Sequence, residues 1–303
     1  MLYVSTRNAA ATYTAHRAIH EPRTPDGGLF VPFHLPVFSA EELQDIKQKS
    51  CSNTIARVLN LLFAKKITGS DVEFAIGKTP LKLEYMQHKL IFAETWHNTD
   101  GSEDYLLKNL YTLISDRKYV DTLPIGWAKV GIRIALLFGI YSELDCEDTF
   151  DLAITADDYA LLTAVLYSRE MGLPVNMTVC TGNEDSVLWD LLNRDECAAG
   201  NHTSDYLECV LFLCFGAEDA QPCGRFYYIN DEQRASLQAK LFAAVVSVSR
   251  VDSVISSVQR SVQYAIDKDS ALAYGGLQDY RSATGVSRET LILMKQRPVR
   301  VKE

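Results

Sequence analysis

An α/β fold with a largely parallel sheet is what this sequence predicts, and three observations predict it. Short apolar runs that read as buried strands, Leu90–Ala93, Phe150–Thr155, Val175–Cys180 and Thr290–Met294, lie well apart in the chain. Stretches with helical periodicity separate them. Short connections with turn residues, such as Gly172 and Pro174, join strand to helix and helix to strand.

Taken in order, the first 90 residues read as a compact unit. Pro25-Asp26-Gly27-Gly28 is a turn, followed by Leu29-Phe30-Val31-Pro32, an extended piece ended by proline. Ser39 caps a helix whose first turn carries Glu41 and Glu42, where the helix dipole favours acids. Residues 51–66 and 70–77 continue as amphipathic helices. After the strand at Leu90, residues 103–117 and 126–144 are helical, with Leu106, Leu110, Leu113 and Ile114 on one face of the first. The strand from Phe150 leads into a helix over Asp158–Met171, stopped by Gly172 and Pro174. The strand from Val175 leads into a helix over Glu184–Asn193. Helices are expected at about 204–215, 231–246, 250–266 and 269–283, before the last strand at Thr290. The division this suggests is 1–90 for an N-terminal part and 91–303 for an α/β core.

Composition narrows the function. The 303 residues are 47% hydrophobic and 23% charged, as in an ordinary globular protein. A formal net charge of -9 argues against nucleic acid or an anionic membrane as the main partner, since both require a basic face. No apolar run approaches the roughly 20 residues of a membrane span; Ile132–Ile140 is interrupted by Arg133. MLYVSTRN does not read as a secretory leader. Seven cysteines without CxxC spacing suggest reduced thiols and a cytoplasmic protein, with Cys180, Cys209 and Cys214 as small core residues.

Four segments, in order, carry a family resemblance. Tyr3, Ser5-Thr6-Arg7, Asp26-Gly27-Gly28-Leu29-Phe30-Val31-Pro32 and Leu35-Pro36 resemble the opening of threonine synthases (YxSTRG, DGGLFVP, LP). Ile125-Gly126-Trp127-Ala128-Lys129 is similar to that family's SINWAR. Met171-Gly172-Leu173-Pro174-Val175 through Cys180, Asn183-Glu184 and Val187-Leu188 is similar to MGLPIxxxICAxNENxVL. Ile266-Asp267, Ala271, Ala273-Tyr274 and Asp279-Tyr280 are similar to IDPHTAVAYAALKDY. The resemblance implies a three-layer, parallel-sheet core of pyridoxal phosphate (PLP) fold type II, like the tryptophan synthase β chain, with a small N-terminal threonine synthase-type domain. The family's reaction converts O-phosphohomoserine and water to threonine and phosphate on PLP.

The same resemblance implies that the chemistry is lost. A PLP enzyme needs a lysine amine for its Schiff base. Glu94 and His97 set the register on ELFHGPTxAFKD, and the lysine position is then Asp104. Lys108, roughly 6 Å further along a helix, is a weak candidate beside the reading of a surface lysine. The phosphate loop SGNFGN falls on Ala156-Asp157-Asp158-Tyr159-Ala160-Leu161, with both glycines gone. Asp157 and Asp158 are expected to cap the following helix in place of a bound anion, the rival being a site for a cation or amine. The pyridine-nitrogen partner in VVLSTAxP falls on Met294-Lys295, and the IDPHTA histidine on Asp269. The family's glycine-rich GATSGDTGSAA segment, and the small subdomain around it, have no space between Asp104 and Trp127 and are read as largely deleted.

Weaker signals have ordinary readings beside them. His16 and His20 have a metal-compatible i, i+4 spacing, and a surface pair is the plainer account. His97 near Glu94, Asp100, Glu103 and Asp104 suggests either a hydrolytic centre or an inherited structural histidine. Lys295, Arg297, Arg300 and Lys302 form a basic tail that reads as a solvated end, with docking to an acidic partner as the second reading. The expectation is a shortened, threonine synthase-like pseudoenzyme with no bound PLP and no metal, acting as a homo-oligomer, on a protein partner or on a small metabolite. The alternative is a PLP-dependent lyase that uses a relocated lysine.

Overall fold

The computed structural model describes residues 1–146, 148–194, 196–198, 205–223 and 226–298. The chain opens with β1 (Leu2–Ser5), β2 (Thr12–Thr14), α1 (Ala15–His20) and β3 (Phe30–Pro32), and the strands form a small antiparallel sheet in the order β2-β1-β3. The Asp26 carboxylate holds the turn before β3, accepting from the Ser5 hydroxyl (2.8 Å) and the Gly28 amide (3.1 Å). Next come α2 (Ala40–Lys47), α3 (Cys51–Phe63) and α4 (Gly69–Ile76). A reciprocal capping box between Ser39 and Glu42 starts α2.

The main sheet takes β4 (Lys82–Met86) and β5 (Leu90–Glu94) first. After α5 (Glu103–Ser115) and α6 (Gly126–Glu143), β6 (Phe150–Thr155), α7 (Tyr159–Glu170) and β7 (Val175–Gly182) alternate. The chain continues through α8 (Val187–Asn193), β8 (Glu196–Ala198), α9 (Asp205–Phe215), β9 (Phe226–Tyr228), α10 (Asp231–Gln238), β10 (Leu241–Val245), α11 (Val248–Val262), α12 (Lys268–Thr284) and β11 (Thr290–Met294). The six-stranded order is β10-β7-β6-β11-β5-β4, parallel except for β4, while β8 and β9 pair as a separate antiparallel ribbon. β4, which a division at residue 90 assigns to the N-terminal part, hydrogen-bonds along β5 and is an edge strand of this sheet.

Alternation along the central strands divides the core into two layers. Ile91, Ala93, Leu152, Ile154, Leu291 and Leu293 pack with α5, α6 and α7 on one face. Leu90, Phe92, Ala153, Ile292 and Met294 pack with α11 and α12 on the other. Both faces of the sheet are therefore covered, as a parallel sheet requires. Each fully buried Leu or Phe among these contributes about 1.5–3 kcal/mol relative to exposure. The N-terminal helices share the first of these cores. α3 lies so close to α6 that a Cβ on Gly131 would stand 2.4 Å from the Phe63 ring.

Two local expectations are corrected. Residues 231–246 do not form one helix: α10 ends at Gln238, and Leu241–Val245 is the strand β10. The run Leu-Phe-Ala-Ala-Val suits either state alone, and its ladder with β7, Leu241 opposite Thr178 through Val245 opposite Gly182, makes it a strand. The helix expected from Glu184 starts only at Val187, with the Ser186 hydroxyl accepting from the Trp189 amide. Between α5 and α6 only residues 116–125 intervene, with no strand or helix of their own.

Candidate functional site

In open parallel sheets, ligands bind beyond the C-terminal ends of the strands. Here those ends are Glu94 of β5, Met294 of β11, Thr155 of β6 and Gly182 of β7. The segments that leave them bring together groups far apart in sequence. Thr95 and Glu103 are tied to the end of β11 by their amides, which donate to the Met294 carbonyl (3.0 Å) and the Lys295 carbonyl (2.7 Å).

A buried ion cluster fills the space between these ends. Arg133, in the middle of α6, donates to Asp158 Oδ1 at 2.5 Å and to Glu103 Oε2 at 2.9 Å. Lys295 Nζ donates to Asp158 Oδ2 at 2.8 Å, and Asp269 lies 3.6 Å from the same ammonium. The Arg133 and Glu103 side chains are only 7% and 4% exposed. Asp158 is also the N-cap of α7, accepting from the Leu161 amide at 3.2 Å. Burial by itself would raise the Asp158 pKa, but the Arg133 and Lys295 charges hold its carboxyl well below the usual carboxylate range. Burial likewise works against charge on Arg133, and Glu103 and Asp158 outweigh it to raise its pKa. Lys295 follows the same balance, with Asp158 and Glu103 overcoming burial. Beside the cluster, the Lys129 amine is shifted the other way: burial first and Arg133 second depress its pKa against the pull of Asp158.

The expected site residues are distributed unevenly around this cluster. Asp158 caps α7 as expected, but Asp157 is exposed and does not. Ala156, Tyr159 and Ala160 are buried, and the Ala156 amide donates to the Thr181 carbonyl (2.8 Å). Asp104 is exposed in the first turn of α5, and Lys108 is half-buried one turn on. Lys295 is not part of a solvated end, since its ammonium is drawn into the cluster and its side chain is 14% exposed. Arg300 and Lys302 lie outside the described residues. The His16 and His20 rings lie side by side, with centroids 4.4 Å apart and their planes tilted by 50°. Among the described residues, no group of three or more His, Cys, Asp or Glu side chains is placed to hold a metal, and no helix is long and apolar enough to cross a membrane.

His97 meets one of its four expected acidic neighbours. Its Nε2 and the Tyr264 hydroxyl both contact the buried Glu94 carboxylate. Glu103 points instead to Arg133, while Asp100 and Asp104 are exposed. Burial, then Glu94, raises the Tyr264 pKa, so the hydroxyl stays protonated and donates. This group lines a cleft of about 850 Å³ with Trp96, Lys82 and Arg297. Arg133, Lys129 and Tyr264 carry the electrostatics of the region without having been expected to, and Glu103 does so through Arg133 and not through His97. Arg133 had a legible signal, a lone arginine within the apolar helix Val130–Phe138.

Residues 2–79 match the family model of the threonine synthase N terminus. No curated protein sequence is matched. Among solved structures, PLP-bound threonine synthase from Brucella melitensis superposes with a TM-score of 0.81 at 15% identity, covering 98% of this chain and 89% of that one. Threonine synthase from yeast gives 0.81 at 13% identity, covering 98% and 87%. Threonine synthase from Escherichia coli gives 0.71 at 13% identity, covering 98% and 89%. The chain thus matches the threonine synthase N-terminal model over residues 2–79, and its fold as a whole is similar to that of the threonine synthase structures.

Proposed function

We propose that this threonine synthase-like protein is a pseudoenzyme that holds no PLP and acts by binding a protein partner or a small metabolite. The observation that carries the reading is the Asp158 carboxylate at the head of α7, held by Arg133 and Lys295. The N-terminus of a helix with cations beside it is a place for an anion. Here the chain supplies that anion itself, at the position where the resemblance places the cofactor's phosphate. A phosphate charge about 4 Å from this carboxylate would be repelled by roughly 4 kcal/mol per charge pair at an effective dielectric near 20. Asp104 stands in the lysine register without an amine, and Met294 and Asp269 offer neither of the family's other cofactor contacts. The residues present therefore do not fit the group.

The binding half of the reading is supported by the short connector between α5 and α6. It exposes Tyr119 (78%) and Ile125 (49%) where the resemblance places a covering subdomain. Sedimentation is expected to show self-association or a stable complex with a partner; a chain that stays monomeric and partnerless sinks the protein-partner branch and leaves only the metabolite.

One observation favours a second reading, a lyase with a relocated lysine. Lys129 is a desolvated amine beside the cluster, and a depressed pKa is what a Schiff-base lysine requires. Mixing the protein with PLP, recording its absorbance, then reducing with borohydride and mapping peptides separates the two. The expected result is no lysine-linked adduct; an adduct mapped to Lys129 establishes the second reading.

A further inference from the structure

We propose that the open edge of β4 pairs with β4 of a second copy of this chain, antiparallel and centred on Leu83, to give a two-fold dimer. This deepens the protein-partner branch of the reading above and rests on it, naming both the partner and the surface.

β4 ends the six-stranded sheet, with β5 as its neighbour on one side and no strand on the other among the described residues. Hydrogen bonds one strand further in fix which of its backbone groups point outward. The Thr290 amide donates to the Lys89 carbonyl at 2.8 Å, and the Thr95 amide donates to the Met294 carbonyl at 3.0 Å. Every second residue of a strand bonds to the same side, so Ile91 and Ala93 turn their backbone groups toward β11. Leu90, Phe92 and Glu94 then turn theirs toward β4, where they meet Met86, Glu84 and Lys82. The N–H and C=O groups of Leu83 and Tyr85 are left on the outer edge. Among the described residues, no other group is hydrogen-bonded to them.

A lysine on an edge strand ordinarily blocks pairing with another chain. Here Lys82 is answered on the same face by Glu84, with which it forms an ion pair. Only like-facing backbone groups can bond, so a two-fold axis must pass through a residue of β4 and not between residues. An axis through Glu84 sets that carboxylate against itself, and one through Lys82 does the same for the ammonium. An axis through Tyr85 or Met86 runs the pairing into the turn at 87–89. Through Leu83, each Lys82 stands opposite Glu84 of the second copy, and each Leu81 stands opposite Tyr85. Opposite charges across an antiparallel pair stabilise it and like charges oppose it, which selects this register. Leu83 then exchanges both backbone bonds with its own copy. On the other face, the half-buried Leu81 and Leu83 and the exposed Tyr85 ring form an apolar strip, with the Tyr85 hydroxyl held by the Asp145 amide at 2.8 Å.

The test is sedimentation of the full chain over a concentration series to about 300 μM, since so short a pairing belongs among the small, transient interfaces. A monomer–dimer equilibrium is expected. Glu84→Lys places a cation opposite each Lys82 and is expected to weaken the dimer about tenfold or more. Glu41→Lys, the same charge change on an exposed position of α2, is expected to leave it unchanged. Lys82→Glu is expected to weaken the dimer alone, and mixing it with Glu84→Lys is expected to restore association, because each copy then meets opposite charge. Should either variant melt below the parent, hydrogen exchange on the parent carries the test. The Leu83 and Tyr85 amides are expected to exchange about fivefold more slowly, or slower still, as concentration rises. A monomeric parent, a dimer indifferent to Glu84→Lys, or amides indifferent to concentration overturns the proposal. A dimer indifferent to Glu84→Lys leaves the protein-partner branch standing without this surface, and the borohydride experiment reads the loss of PLP separately.

Discussion

The N-terminal unit and the strand-end cluster show opposite histories in one chain. In the first, the residues that match the family do folding work. Tyr3 donates to the Leu62 carbonyl, Thr6 and Arg7 tie the segment to Glu208 of α9, and Asp26 closes the turn before β3. In the second, the positions that the resemblance assigns to cofactor chemistry hold charges that neutralise one another. On the reading proposed above, residues needed for the fold persist, and an internal salt-bridge network stands where the resemblance places cofactor contacts. Buried ion pairs of this kind contribute little net stability when complete but are costly to break. That asymmetry makes the comparison testable.

The largest effect is expected at Asp158. Asp158→Ala takes from Arg133 one of its two carboxylates and from Lys295 its close partner, and is expected to cost about 3–5 kcal/mol, measured by urea denaturation. Asp104→Ala, at the exposed lysine-register position, is expected to stay within about 0.5 kcal/mol. Similar values for the two would remove the contrast between cluster and surface. The same carboxyl sets an acid dependence. Its folded pKa lies below its ordinary value of 3.8, so its contribution is complete above that value and drains away as pH falls below it toward the lower folded pKa. Asp158→Ala is expected to flatten the loss of stability below about pH 4; an unchanged acid limb would place the linkage elsewhere.

The next two predictions concern the N-terminal unit. Glu208→Ala removes the acceptor of Thr6 Oγ1 at 2.5 Å and of two Arg7 nitrogens at 3.1 Å each. A cost of about 2 kcal/mol is expected, less than at Asp158 because Arg7 is 32% exposed and can turn to water. Gly172 has φ 105°, and a Cβ there would stand 2.9 Å from the Phe38 carbonyl, beside the bond from the Phe38 amide to the Met171 carbonyl. Gly172→Ala is expected to cost about 1–2 kcal/mol in thermal melts. A neutral result would show that the junction between N-terminal unit and core is slack.

Much of the fold was legible because its signals are local. Capping at Ser39, the turn at Asp26 to Gly28 and the apolar runs of β5, β6, β7 and β11 each follow from a few adjacent residues. The strand β10 was not legible, since Leu241–Val245 becomes a strand only through its partner β7. The site divides the same way. The aspartate at 104 and the absence of glycine over Ala156–Leu161 can be read along the chain, and so can the capping role of Asp158.

Which cation meets which anion could not be read there. Arg133, Glu103, Asp158 and Lys295 come from four separate elements, and Tyr264 reaches Glu94 across 170 positions. Sequence alone settles which side chain stands in the lysine register, because the identity of residue 104 as aspartate is the same in any fold. Only the tertiary structure decides what charges do in its place, because burial and distance set their energies and both are properties of the packed chain.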